Sequence, residues 1–91
     1  MERDRIVFPA RVLRKQDFLP RHIVVKPGHL RGRTHTFPAE AALNGAGPFV
    51  RNSRPWGKGS DLFFFNLTAS RCRKAGLDTH DECVVTMIPK G

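Results

Sequence analysis

No apolar run in the sequence approaches the roughly 20 residues that a helix needs to cross a bilayer, so a helical membrane span is not expected. The opening Met1-Glu2-Arg3-Asp4-Arg5 also lacks the apolar stretch of a secretory signal, which makes a cytoplasmic location the expectation. Cysteine is scarce. Cys72 and Cys83 are the only two, and in a reducing compartment they are expected as free thiols rather than a disulfide staple. Acidic residues are outnumbered, 8 against 16 lysines and arginines. Cys83 with His80, or His80 with Asp81 and Glu82, offers catalytic group types, but their spacing around a turn is poor for mutual hydrogen bonding. A third orienting group is missing from the pattern, as are the close double ligand pairs of zinc sites.

The residues present describe one soluble domain spanning 1–91. At 91 residues the chain suits a single core. A chain of this size buries only about 60–65% of its unfolded surface, so dimerisation would enlarge a thin core. The net charge of +8 is unevenly spread, and arginine supplies 11 of the 16 bases. Residues 1–33 hold nine bases against three acids, whereas residues 61–91 hold four of each. An excess of this kind attracts phosphate polyanions without implying any sequence preference.

Several segments read as strands. Arg5–Arg14 and Phe18–Lys26 are rich in β-branched and aromatic residues, and Pro9 argues for an edge or a bulge in the first. Thr34–Leu43 alternates, with Phe37, Ala39 and Ala41 on one face. Asn44-Gly45 accepts the positive φ values of a type I′ turn and predicts a hairpin into a short strand, Pro48–Arg51. Residues 52–60, N-S-R-P-W-G-K-G-S, read as a loop, and Leu62–Leu67 as a strand whose three phenylalanines must divide between two faces. One short helix is expected over Ala69–Ala75, with Thr68 as N-cap and Gly76 as the left-handed C-cap. Pro27-Gly28 reads as punctuation, His29–Arg33 as a polar connection, Asp78–Asp81 as a turn and Glu82–Pro89 as the last strand. The expected fold is therefore mostly β, about six strands with one helix near residues 69–75.

From Phe37 onward the chain resembles a known bacterial family. The features that carry the likeness are A-L-N-G-A-G-P-F-V-R at Ala42–Arg51, P-W-G-K-G at Pro55–Gly59, and a strand leading into a short helix, a glycine, an Asp-containing turn and a final strand. These are similar to the uncharacterised domain of unknown function nineteen-oh-five, over roughly residues 37–89. The resemblance implies a small double-split β-barrel, related in architecture to the swapped-hairpin barrels of AbrB and MazE type transcription factors. It implies no activity. Where those relatives carry Gly-Asp in the turn before the last strand, this chain has His80-Asp81.

The chemistry on offer is that of binding. Arg31, Arg33, Arg51, Arg54 and Lys58 are candidate phosphate contacts, and Trp56 is a candidate stacking platform for a base or sugar. The same residues would serve as solvated charge around a tryptophan that caps the barrel. Gly57-Lys58-Gly59-Ser60 offers backbone N–H groups to a small phosphate. It is no Walker A loop, because Asn52 and Gly59 stand where Gly and Ser or Thr are required. Cys72, His80 and Cys83, with His29 or His35, supply soft ligands at spacings that match no standard zinc pattern. Neither metal nor cofactor is expected, and no residue is assigned a catalytic role. The expected partner is nucleic acid or another polyanion, without a membrane. The alternative is a structural or protein-interaction module, as a homodimer.

Overall fold

Six strands form, with buried and exposed side chains alternating along most of them: β1 (Ile6–Arg11), β2 (Arg21–Val25, where His22 and Ile23 are both buried), β3 (Phe37–Leu43), β4 (Ala46–Pro55), β5 (Phe63–Leu67) and β6 (Glu82–Pro89). The structure is a computed structural model and describes residues 5–30, 32–57 and 61–90. The strands hydrogen-bond in the order β1-β6-β3-β4-β5-β2, each pair antiparallel. The two outer strands then meet. The N–H of Leu13 donates to the carbonyl of His22 at 3.0 Å, and the N–H of His22 donates back at 2.8 Å. A six-stranded, nearly closed β-barrel results.

Closure stops at that bridge for a reason legible in β1. Val12 bonds towards β6, through Asp81 and His80, whereas Leu13 bonds towards β2. Alternation therefore turns the backbone of Arg11 and Pro9 towards β2 as well, and Pro9 has no N–H to give. Beyond the bridge the strands part around a cleft of about 390 Å³ lined by Phe8, Leu13, Val24 and His29 among others. His29 stacks on Phe8 with ring centroids 4.6 Å apart.

Inward-facing Ile6, Phe8, Ile23, Phe63, Phe65 and Val85 head a single core, which Cys72 and Cys83 join as free buried thiols. Burial pushes both thiols above their ordinary pKa, and the neighbouring Cys72 adds to the rise at Cys83. Phe63 and Phe65 fill the interior while Phe64 faces outward, the division that three consecutive phenylalanines on a strand require. At the β3–β4 hairpin Asn44 (φ 51°) and Gly45 (φ 82°) take the predicted left-handed conformations. Asn44 also ties the hairpin to β6, since its Oδ1 accepts from the N–H of Val84 at 2.8 Å.

The helix α2 (Ala69–Ala75) has the expected ends. Thr68 Oγ1 accepts from the N–H of Arg71 at 3.1 Å, and Gly76 (φ 70°) donates back to Arg73 at 3.0 Å. Leu77 packs against the core just beyond it.

Two expectations require correction. β4 does not end at Arg51 but runs to Pro55, because its first part pairs with β3 and its last residues, Arg54 and Pro55, pair with β5. One strand thus serves both halves of the barrel. The segment after β2 is not merely a polar connection, for Pro27–Leu30 forms a one-turn helix, α1, that buries Leu30. The turn before β6 needs no glycine. His80 takes φ 76° itself, held by Asp78 and Asp81: the N–H of Asp78 donates to Asp81 Oδ2 at 2.8 Å, and that of Asp81 to the Asp78 carbonyl at 3.1 Å. Among the described residues no helix is long and apolar enough to cross a membrane.

Candidate functional site

The outer surface of β2, β5 and the end of β4 carries an aromatic cleft. With Ile23 and Val25 inward, His22 must face out; with Phe63 and Phe65 inward, Phe64 must do the same. Trp56 follows the last residue of β4 and joins them from the other side. Its indole lies 5.1 Å from the His22 ring at 55° and 5.1 Å from the Phe64 ring at 73°, while His22 meets Phe64 edge-on at 6.3 Å. These rings, with Lys15, Leu19, Pro20 and Asn66, border an open cleft of about 310 Å³. His22 is 7% exposed, whereas Trp56 remains 44% exposed.

Next to this cleft, and sharing Pro20 and Asn66 with it, is a notch of about 280 Å³ lined by Arg14, Arg21 and Arg51. Arg21 is occupied. It donates to Asp78 Oδ1 at 2.6 Å and to Thr79 Oγ1 at 3.1 Å. The N–H of Thr79, then the bond and charge of Arg21, hold the Asp78 carboxyl below its ordinary pKa. Arg14 and Arg51 differ. Arg14 donates to the carbonyls of Leu19 and Asp17, and Arg51 to those of Asn66 (3.1 Å) and Val50 (2.8 Å). The ion pairs among the described residues give neither of them a carboxylate. Arg51 also lies 5.1 Å from the centroid of Phe49, and Arg71 of α2 approaches the same ring at 4.8 Å. Two like charges gathered at one ring favour an anion beside them.

The residues singled out from sequence divide. Arg51 enters the notch and Trp56 the cleft. Arg54 is exposed on β4 directly opposite Phe64, but it does not line the aromatic cleft. Arg33 is elsewhere: its guanidinium lies 5.1 Å from the Phe37 ring and donates to the Leu30 carbonyl at 3.1 Å, in a separate cleft with Pro27 and Phe63. Arg31 and Lys58 lie outside the described residues, as does the Gly57–Ser60 loop beyond Gly57. Residue type and spacing do not single out Arg14, Lys15, Arg21, His22, Phe64 or Asn66. The outward place of His22 and Phe64 was recoverable from strand parity, but their meeting with Trp56 depends on which strands pair. Among the described residues no cluster of three or more His, Cys, Asp or Glu side chains could hold a metal ion.

Burial holds the His22 imidazole below its ordinary pKa of 6.5, since the charged ring would lose hydration. The unfolded chain therefore binds the proton first. His22's contribution to stability is complete above pH 6.5 and is lost as the pH falls through the depressed folded value. Urea midpoints at pH 7 and pH 5 should differ less in His22→Phe than in the parent chain. An unchanged difference would mean that other groups carry the acid sensitivity.

By fold and surface the chain is a small, nearly closed β-barrel with an aromatic cleft abutting an arginine notch. It matches no family model, no curated protein and no solved structure.

Proposed function

We propose that this barrel is a non-enzymatic binding domain for nucleic acid or another polyanion, engaged through the notch and the cleft. The observation that carries the reading is that Arg14 and Arg51 are held in place by backbone carbonyls and, among the described residues, form no ion pair with a carboxylate. A guanidinium oriented but not neutralised keeps donors for a phosphate, and it does so in the planar geometry that suits bidentate contact. Lys15 at the cleft border and Arg71 near Phe49 extend the same sign of charge.

A second reading is that of a homodimeric interaction module. It is favoured by Val7, Val50 and Val84, all about half exposed on the outer face of β1, β6 and β4.

Binding to mixed-sequence DNA, measured by fluorescence anisotropy across a salt series, separates the two. Affinity should fall linearly on logarithmic axes, and Arg14→Gln/Arg51→Gln should make the slope shallower by about 1.5–2, one phosphate contact per arginine. A slope untouched by the double variant would remove the notch from the interface. No binding at low salt, with a dimer in sedimentation, would replace the polyanion reading by the second one.

A further inference from the structure

We propose that the cleft formed by His22, Trp56 and Phe64 takes an unstacked nucleobase, so that the preferred ligand is single-stranded nucleic acid with its phosphate in the adjoining arginine notch. This rests on the polyanion reading above and names the ligand class within it.

The rings are arranged to receive another ring. None of the three lies face to face with its neighbours; the interplanar angles are 55°, 73° and 83°. The exposed part of Trp56 is consequently not consumed by internal stacking. The aromatic residues in the other clefts are spent on the core, since Phe8, Phe37 and Phe63 are all buried. A second open ring is close in sequence to the cleft. Phe18, 79% exposed, sits in the segment that supplies Lys15, Leu19 and Pro20 to the cleft wall. Successive exposed rings beside cationic side chains are what a single strand uses, one base per ring with phosphates alongside.

The size and the polar groups fit the same ligand. About 310 Å³ lies at the small end of ligand sites, enough for one base and its sugar rather than for a larger cofactor. Asn66, exposed and directly opposite His22, offers an amide donor and acceptor to a base edge. His22, kept neutral by burial, has one ring nitrogen to donate and one to accept. Apart from Lys15 at the cleft border, the charge sits in the notch, and the space between the three rings is suited to a neutral flat group. Cleft and notch meet at Pro20 and Asn66, which places a base site beside a phosphate site. A duplex keeps its base faces stacked inside and could offer this surface only phosphates, sugars and groove edges, with no face for the rings to stack on.

The composition provides its own reporter, since Trp56 is the only tryptophan and the chain has no tyrosine. Titration of the parent chain with a ten-residue oligothymidylate at low salt should quench its fluorescence, whereas heparin, which has charge but no bases, should bind without quenching. By anisotropy with labelled oligonucleotide, Trp56→Ala should weaken binding about 5- to 150-fold, the range of one lost stacking contact. Trp56→Phe should recover most of the affinity, and far-UV circular dichroism will show whether each variant is folded. Oligothymidylate that binds without quenching and is indifferent to both variants would overturn the base site while leaving the polyanion reading intact. Duplex DNA that binds as tightly as the single strand, with equal quenching, would overturn the single-strand preference. Failure of DNA and heparin alike to bind at low salt would remove both.

Discussion

Phe65→Ala is expected to destabilise the barrel by about 3–5 kcal/mol, the cost of removing a large aromatic ring from a core that cannot close over the gap. Phe65 is 1% exposed on β5, opposite Ile23 of β2, which is itself fully buried. A small domain is stable by only about 5–15 kcal/mol, so the variant loses a large part of its margin. Its melting temperature should fall by roughly 12–40 °C, at about 4–8 °C per kcal/mol for a chain of this size. Phe64→Ala is the internal control. That ring faces outward and is only half-buried, so its removal should cost no more than about 1.5 kcal/mol while weakening oligonucleotide binding. Urea denaturation of the two variants would expose an error in the assigned strand parity if their losses came out equal or reversed.

The second large effect is expected at Gly47, at about 3 kcal/mol for Gly47→Ala. Gly47 has φ 147°, and a Cβ there would stand 2.9 Å from the Ala41 carbonyl oxygen and 3.2 Å from Ala42 Cα. Both neighbours are backbone, placed where the β3–β4 register shifts between Ala41 and Leu43, so neither can swing aside as a side chain would. Gly45→Ala should cost only about 1–2 kcal/mol, for its φ of 82° is strained for alanine but the space around it is open. Equal losses at the two glycines, measured by chemical denaturation, would mean that strand β4 yields at Gly47 and that the close approach is unimportant.

These two positions also show how unevenly the fold is written along the chain. The conformations of Asn44 and Gly45 were legible because a two-residue hairpin asks for positive φ at both, and Asn-Gly supplies it locally. The caps of α2 were legible for the same reason, since Thr68 and Gly76 act within one turn of themselves. Gly47 carries no such mark. Its constraint comes from β3, across the hairpin, and glycine tolerates that approach without declaring it in the sequence. The extension of β4 to Pro55 was hidden likewise, because Asn, Ser, Arg and Pro are loop-like by composition and become strand only through the partner that β5 offers.

The candidate site was half visible. Trp56 and Arg51 stood out by residue type, whereas Arg14, Arg21 and His22 belong to segments distant from both in sequence. Arg33, chosen by the same reasoning as Arg51, went to a different cleft because α1 and Phe37 hold it there.

The sequence by itself determined a basic, mostly β domain with its charge excess in residues 1–33 and its aromatic, glycine-rich segment at 52–60. Composition and alternation are properties of neighbouring residues, and they decide which face of each strand is buried. Only the tertiary structure decided that β2 and β5 lie side by side beyond β4, bringing His22 and Phe64 to Trp56, and Arg14 and Arg21 to Arg51. Strand order is a choice among non-local partners, settled by the core as a whole, and the surface that results is written in no single stretch of the chain.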